Sequence, residues 1–402
     1  MKIKIALIFG GRSTEHDISV ISALQAKNSL DKEKYDVFPI YLTRNNEMYY
    51  GERTGEIGAY RDIDKLISES KRVALVRDGD RVRLIRIEKK LFSKPEIAEI
   101  DLAFPVVHGT NTEDGTIQGY CQTLGIAYVG CDLTSSAVGM DKYLTKIVLK
   151  NANIPVLDCI KASSADYKED SDALLDRIEG EIGYPVIVKP INCGSSIGIS
   201  RADDRDALVE SLDDAFNYAD HIIVERAITS LREINCSVLG DSRKAEASEC
   251  EEPVSTDTIL SFEDKYQGGA KGAKTGGAKS EQSAGMSSLK RKIPAPIPAE
   301  TREYIRDMAV KSFKALGCSG VSRIDFLMDG ESGEIFFNEI NTIPGSLSFY
   351  LWEPLGIKYS ELLDRMIAIA LREHRRRNAL TYAFESSVLS NIQLSGAKGS
   401  KR

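Results

Sequence analysis

No apolar run in the chain approaches the ~18 residues that a membrane-spanning helix requires. The first segment, MKIKIALIFGG, has a basic start and an apolar stretch, but the polar run RSTEHD follows at once without a small-residue cleavage site, so it reads as a buried strand rather than a signal peptide. The seven cysteines are odd in number, scattered and free of any CxxC pair, which removes a disulfide framework and a zinc site and fits a reducing cytoplasm. There is no excess of basic charge. Lys and Arg total 53 against 60 Asp and Glu, a net charge of −7, which excludes a general nucleic-acid binder and means that a phosphate ligand must be held locally. No Walker A sequence occurs, and Gly10-Gly11 lacks the third glycine of a dinucleotide fingerprint, so an oxidoreductase has little support.

What remains is ordinary globular material: 402 residues, 42% hydrophobic and 28% charged, enough for two or three domains at roughly 100–200 residues each. KIKIALIF (2–9), YDVFPIYL (35–42) and DLAFPVVHG (101–109) read as strands, with helical periodicity from Ser19 to Leu30, and this alternation predicts a doubly wound parallel sheet. Residues 60–100 are more polar, carry a hairpin signal at Asp78-Gly79 and read as decoration on that unit. A second unit starts near Gly130, with one helical stretch from Ser135 to Ala152, and a third near Arg226. The expected ranges are 1–130, 131–226 and 227–377, with a tail at 378–402 that frays into disorder. Within the third, QGGAKGAKTGGAKSEQSAGMSSLKRK (267–292) has almost nothing to bury and reads as part of a lid loop over 261–292.

The strongest local signal is VSRIDFLM (321–328) and EIFFNEIN (334–341) around the turn DGESG. Period-two alternation puts Arg323 and Asp325 on one face of the first strand, and Phe337, Glu339 and Asn341 on one face of the second. A hairpin symmetric about Ser332 sets Asp325 opposite Glu339 and Arg323 opposite Asn341, with paired Cβ atoms roughly 5 Å apart. Two facing carboxylates repel unless a cation offsets them, and oxygen donors from Asp, Glu and Asn suit Mg²⁺. Lys189 ends a strand before NCGSSIG, a loop able to bring backbone N–H groups to phosphates but equally an ordinary glycine-rich turn. Lys142 reads as a ligand or a surface lysine, Glu15 as a site residue or a helix-dipole partner, and His108 as a ligand contact or a satisfied loop histidine.

Seven pieces occur in one order: FGGRSTEHDIS, FPVVHGTNTEDGTIQG, VGCDLTSSAVGMDK, YPVIVKPINCGSSIG, FEDKY, GCSGVSRIDF and FNEINTIPG. In these the chain resembles the D-alanine:D-alanine ligases of the ATP-grasp superfamily. The resemblance implies a three-domain α/β ATP-grasp fold with an N-terminal doubly wound parallel-sheet domain. It implies ATP-dependent joining of two D-alanines through a D-alanyl phosphate for peptidoglycan synthesis, in the cytoplasm, by a homodimer with no nucleic-acid or membrane partner. By the same resemblance, Lys142, Lys189 and Lys265 meet ATP phosphates, Glu225 with Arg226 meets the adenine, Glu233 the ribose, and Asn338 belongs to the nucleotide site. Asp325, Glu339 and Asn341 resemble the ligands of two Mg²⁺ ions, with Mn²⁺ as a substitute. Glu15, Ser195 and Tyr266 resemble the trio closing over the substrates, His108 lies near the first D-alanine, and Arg323 with the Gly345 backbone resembles the oxyanion site. Tyr350, with Ser348 nearby, stands where many relatives hold the second carboxylate with serine. D-serine as second substrate and a non-catalytic ATP-binding relative are the alternatives.

Overall fold

The computed structural model describes residues 2–88, 94–194, 196–254 and 291–382. The first strand, β1 (Ile3–Gly10), is apolar on both faces because both are covered. It pairs in parallel with β2 (Tyr35–Leu42) and β7 (Leu102–Val107), and β7 pairs in parallel with β8 (Ala127–Tyr128). Ile5, Leu7 and Phe9 face α1 (His16–Ser29) and the last helix, Tyr359–Asn378, whereas Ala6 and Ile8 face Cys121 of α3 (Thr116–Leu124), the short helix α2 (Ile63–Glu69) coming before it in the chain. At Gly10, φ is +96° and a Cβ would lie 2.3 Å from the Leu42 carbonyl oxygen, so only glycine carries the chain off the strand here.

The stretch read as decoration is instead part of the sheet. Strands β3 (Met48–Tyr50), β4 (Lys71–Asp78), β5 (Arg81–Arg86) and β6 (Glu96–Ile100) extend it antiparallel from the β2 edge, giving the order β6-β5-β4-β3-β2-β1-β7-β8. The Asp78-Gly79 turn joins β4 to β5 as predicted, and β3, which β4 pairs with in turn, covers the edge that β2 would otherwise expose.

The helical stretch expected from Ser135 to Ala152 is two helices, α4 (Leu133–Met140) and α5 (Lys142–Asn151). Asp141 separates them: it leaves helical geometry, and its side chain accepts the Leu144 N–H at 2.8 Å as the cap of α5. A four-stranded antiparallel sheet follows, in the order β11 (Ser200–Ala202), β10 (Val186–Pro190), β12 (His221–Arg226), β9 (Cys159–Ser163). Alternation buries Val186, Val188, Ile222 and Val224 against the helices Ser171–Glu181 and Arg205–Ala215. Lys189 and Glu225 are thereby turned to the opposite face.

The third sheet has the order β15 (Arg291–Lys292), β14 (Ala245–Pro253), β13 (Leu231–Gly240), β16 (Gly320–Asp329), β17 (Ile335–Asn341). The helix Ala299–Ala315 packs Ile305, Met308 and Phe313 on Ile234, Ile324 and Phe326, and Leu149 of α5 joins the same core. The chain thus crosses between its layers twice, with α5 on the third sheet and the last helix back on the first.

Candidate active site

The β16–β17 hairpin has the register read from its symmetry near the site: Asp325 opposes Glu339 and Arg323 opposes Asn341. Beyond Asp325 it does not. Phe326 pairs with Phe337, leaving Asn338 as an extra residue in a bulge. The bulge reverses the face assigned to Phe337, which is fully buried in the core, and lets Asn338 and Glu339 both border the cleft. Alternation cannot show this, since a bulge changes the side-chain period without changing composition.

The two carboxylates do not confront each other unshielded. Arg323 donates to Asp325 through Nε and Nη2, both at 2.7 Å, and Asn341 Nδ2 donates to Oδ2 at 3.1 Å. Glu339 Oε2 has Lys142 Nζ at 3.5 Å, and the same Nζ donates to the Cys193 carbonyl oxygen at 2.6 Å. Burial weakens the charge of the Arg323 guanidinium, but Asp325 outweighs it and holds the pKa above the ordinary arginine value. Among the described residues no three His, Cys, Asp or Glu side chains form a metal cluster. The donor set is two carboxylates and a carboxamide, hard oxygens that fit Mg²⁺ when phosphate oxygens complete the shell.

Across the cleft, Lys189 Nζ is ion-paired with Glu225 Oε1 and donates to Asn338 Oδ1 at 3.0 Å, tying the second sheet to the third. Lys146 Nζ is 2.8 Å from Glu225 Oε2. Burial raises the Glu225 pKa, and the two lysines more than reverse this, holding it at about 2. Lys146 was absent from the sequence reading, although its spacing of one helical turn from Lys142 was a usable signal. A cavity of about 830 Å³, part of it open to solvent, lies between the sheets. Ile187, Ile228, Leu231 and Leu327 give it apolar walls; Lys142, Lys189, Glu225, Arg226, Glu233, Asp325, Asn338 and Glu339 supply its polar groups.

A second cavity, of about 420 Å³, shares Lys142 and Glu339 with the first and is bordered by Glu15, Gly109, Glu113, Cys193, Gly194 and Asn341. Two glycines make room for Glu15: a Cβ on Gly109 would lie 2.7 Å from Glu15 Oε2, and one on Gly194 3.0 Å from the same atom. Glu113, another residue with no assigned role in the sequence reading, accepts the Ile343 N–H at 2.6 Å, the Gly109 N–H at 3.2 Å and the Thr342 hydroxyl at 3.3 Å. Burial, then the nearby Glu15 charge, push its carboxyl up to about 8. His108 does not point a free nitrogen at this cavity: Nδ1 meets the Ile343 carbonyl oxygen at 2.7 Å and Nε2 the Ser22 hydroxyl at 2.9 Å. Burial lowers its pKa. Ser22 Oγ also accepts the Ser346 N–H at 2.9 Å, so Ser22, His108 and Glu113 together clamp the segment leading into the Gly345–Leu351 turn.

In that turn Ser346, Leu347 and Ser348 all have φ of +51°, a left-handed run uncommon for residues with side chains. Ser348 is fully buried. The Tyr350 hydroxyl donates to Glu251 Oε1 at 3.3 Å, and its ring lies 3.9 Å under the Arg291 guanidinium, so the phenol is held by protein groups. Ser195, Lys265 and Tyr266, with most of the expected lid and the end of the tail, lie outside the described residues.

Comparison with known proteins agrees with this architecture. Residues 4–131 match the family model described as D-ala D-ala ligase N-terminus, and residues 148–368 match D-ala D-ala ligase C-terminus. The chain is 38% identical to a D-alanine–D-alanine ligase of Caldicellulosiruptor bescii over 96% of its length and 99% of that protein. For a D-alanine–D-alanine ligase of Geobacillus thermodenitrificans the identity is 35%, over 96% and 100%. Among solved structures, the D-alanine-D-alanine ligase of Coxiella burnetii superposes with a TM-score of 0.75 at 27% identity, covering 94% of this chain and 96% of that one. The VanG D-Ala:D-Ser ligase of Enterococcus faecalis superposes with a TM-score of 0.76 at 31% identity, covering 92% and 100%. With its ATP-grasp sheets and a relative of 38% identity along nearly the whole length, the chain belongs to the D-alanine–D-alanine ligase family.

Proposed function

We propose that the protein joins two D-alanines with ATP, releasing D-alanyl-D-alanine, ADP and phosphate for peptidoglycan synthesis. One observation carries the reading: the two cavities share Lys142 and Glu339, so a nucleotide in the larger one and an amino acid in the smaller one would meet there. The larger cavity would take adenine against Glu225, Arg226 and the apolar wall, ribose at Glu233, and phosphates at Lys142, Lys189 and Asn338, with Lys265 a further phosphate contact by the family resemblance. Asp325, Glu339 and Asn341 would hold two Mg²⁺ ions, or Mn²⁺, which when bound neutralise phosphate charge during transfer.

Glu15 would pair with the ammonium group of the first D-alanine; by the family resemblance Ser195 and Tyr266 would close over the substrates with it, and His108 would lie near that D-alanine. A carboxylate oxygen of this substrate attacks the γ-phosphorus, the bond to ADP breaks, and an acyl phosphate results. The amine of the second D-alanine then attacks the acyl carbon, phosphate departs and the amine loses a proton. Arg323 and the Gly345 N–H would face the oxyanion, where a single donor is worth about 3–4 kcal/mol. Tyr350 and Ser348 would border the second carboxylate.

Three further elements belong to the same proposal. The units 1–130, 131–226 and 227–377 act as the three domains. A cytoplasmic location is supported by the family resemblance and by seven scattered cysteines, odd in number and without a CxxC pair. A homodimer is supported by the family resemblance, and sedimentation equilibrium tests it. D-serine as the second substrate is favoured by one finding, the likeness to a D-Ala:D-Ser ligase. A competition assay decides: D-alanyl-D-alanine as main product is expected, and a preference for D-serine in the second position overturns the substrate assignment.

A further inference from the structure

Lys142 and Lys146 stand one turn apart on α5 and both are buried, an uncommon setting for lysine unless each is paired. Lys142 points toward Glu339, whereas Lys146 points toward Glu225 and donates to the Leu157 carbonyl oxygen at 3.1 Å. Glu225, its side chain only 1% exposed, therefore carries a different lysine on each carboxylate oxygen. One cation would offset its charge. The two are not equivalent in position: Lys189 borders the larger cavity and has a second partner in Asn338, whereas Lys146 lies behind the carboxylate and is not among the residues lining that cavity.

If Lys189 is to turn to a phosphate, it must give up a buried carboxylate, and a buried carboxylate left without a cation is strongly unfavourable. A second lysine fixed behind the same carboxylate removes that obstacle. We propose that Lys146 is a positioning residue for nucleotide binding: it is the permanent counter-ion of Glu225 and so frees Lys189 for the phosphates. The proposal rests on the reading that this cavity takes ATP.

The test compares ATP and adenosine as probes in calorimetric titrations of the full chain with Mg²⁺, because the ratio of the two affinities isolates the phosphate contacts. Lys146→Met should lower that ratio tenfold or more and raise KM for ATP with little change in kcat, and Lys146→Arg should restore both. Lys146→Gln, which keeps a hydrogen-bonding group without charge, should show the same phosphate-specific loss and serves if the methionine variant does not fold. Adding Glu225→Gln to Lys146→Met should bring the ratio back, since no carboxylate then retains Lys189. An unchanged ratio in both Lys146→Met and Lys146→Gln overturns the proposal. So does an equal loss of ATP and adenosine that Glu225→Gln does not relieve, the mark of a structural lysine. A wild-type protein that binds adenosine and ATP alike overturns the nucleotide reading as well, so the two failures are told apart.

Discussion

Glu113→Gln tests the electrostatics of the smaller cavity quantitatively. The Glu113 carboxyl is raised from 4.5 to about 8 in the fold. Between those values the folded chain keeps a proton that the unfolded chain has lost, so stability falls as pH rises through the window. At 1.36 kcal/mol per pH unit, the full window corresponds to about 5 kcal/mol, of which about 4 kcal/mol falls between about pH 5 and about pH 8. Glutamine keeps an acceptor for the Ile343 N–H and cannot titrate. His16 and His108, whose lowered pKa values make the fold lose stability as pH falls below 6.5, are common to both proteins and largely cancel in the difference. Melting temperatures of wild type and variant across this range are the assay. The wild type should be favoured most at the acid end, and its advantage should decline steadily toward the alkaline end. A difference that does not vary with pH would mean that Glu113 is ionised throughout, and the reasoning about burial and Glu15 would fail.

Three other outcomes follow from named contacts. Glu339→Gln removes a charge shared by both cavities and should cut turnover by about a hundredfold while raising the Mg²⁺ requirement; near-normal rates at low Mg²⁺ would contradict it. Gly109→Ala places a methyl 2.4 Å from Ser13 Oγ and 2.7 Å from Glu15 Oε2 at a φ of +79°, so KM for the first D-alanine should rise while KM for ATP holds, and equal changes in both would count against the assignment of Glu15. Phe337→Ala should cost about 3–5 kcal/mol of stability and Phe336→Ala distinctly less, because the bulge buries the first and leaves the second half-exposed near Arg226. The reverse order in urea denaturation would restore the simple alternation.

The hairpin shows how far local pattern reaches. Asp325 opposite Glu339 was legible because strand alternation and turn symmetry are local properties. The extra residue at Asn338 was not, since it depends on how Phe337 fits a core built by a helix some thirty residues earlier in the chain. The offsetting charges were legible only in part: alternation sets Arg323 on the face of Asp325, whereas nothing local shows that Lys142 comes to Glu339. Lys142 comes from another part of the chain, and only packing brings it to β17. Glu113 and His108 could be located at the end of a strand, but their partners Ile343 and Thr342 lie well over two hundred residues away, beyond any periodicity. Residues 71–100 join the main sheet through β3, the short strand on the β2 edge, and an edge is a property of the assembled sheet.

The most direct test of the proposed activity is ADP release by the purified full chain with ATP and Mg²⁺, measured with and without D-alanine, together with identification of the product. ADP formation should depend on D-alanine and match D-alanyl-D-alanine one for one. ATP binding without any D-alanine-dependent ADP release would contradict it.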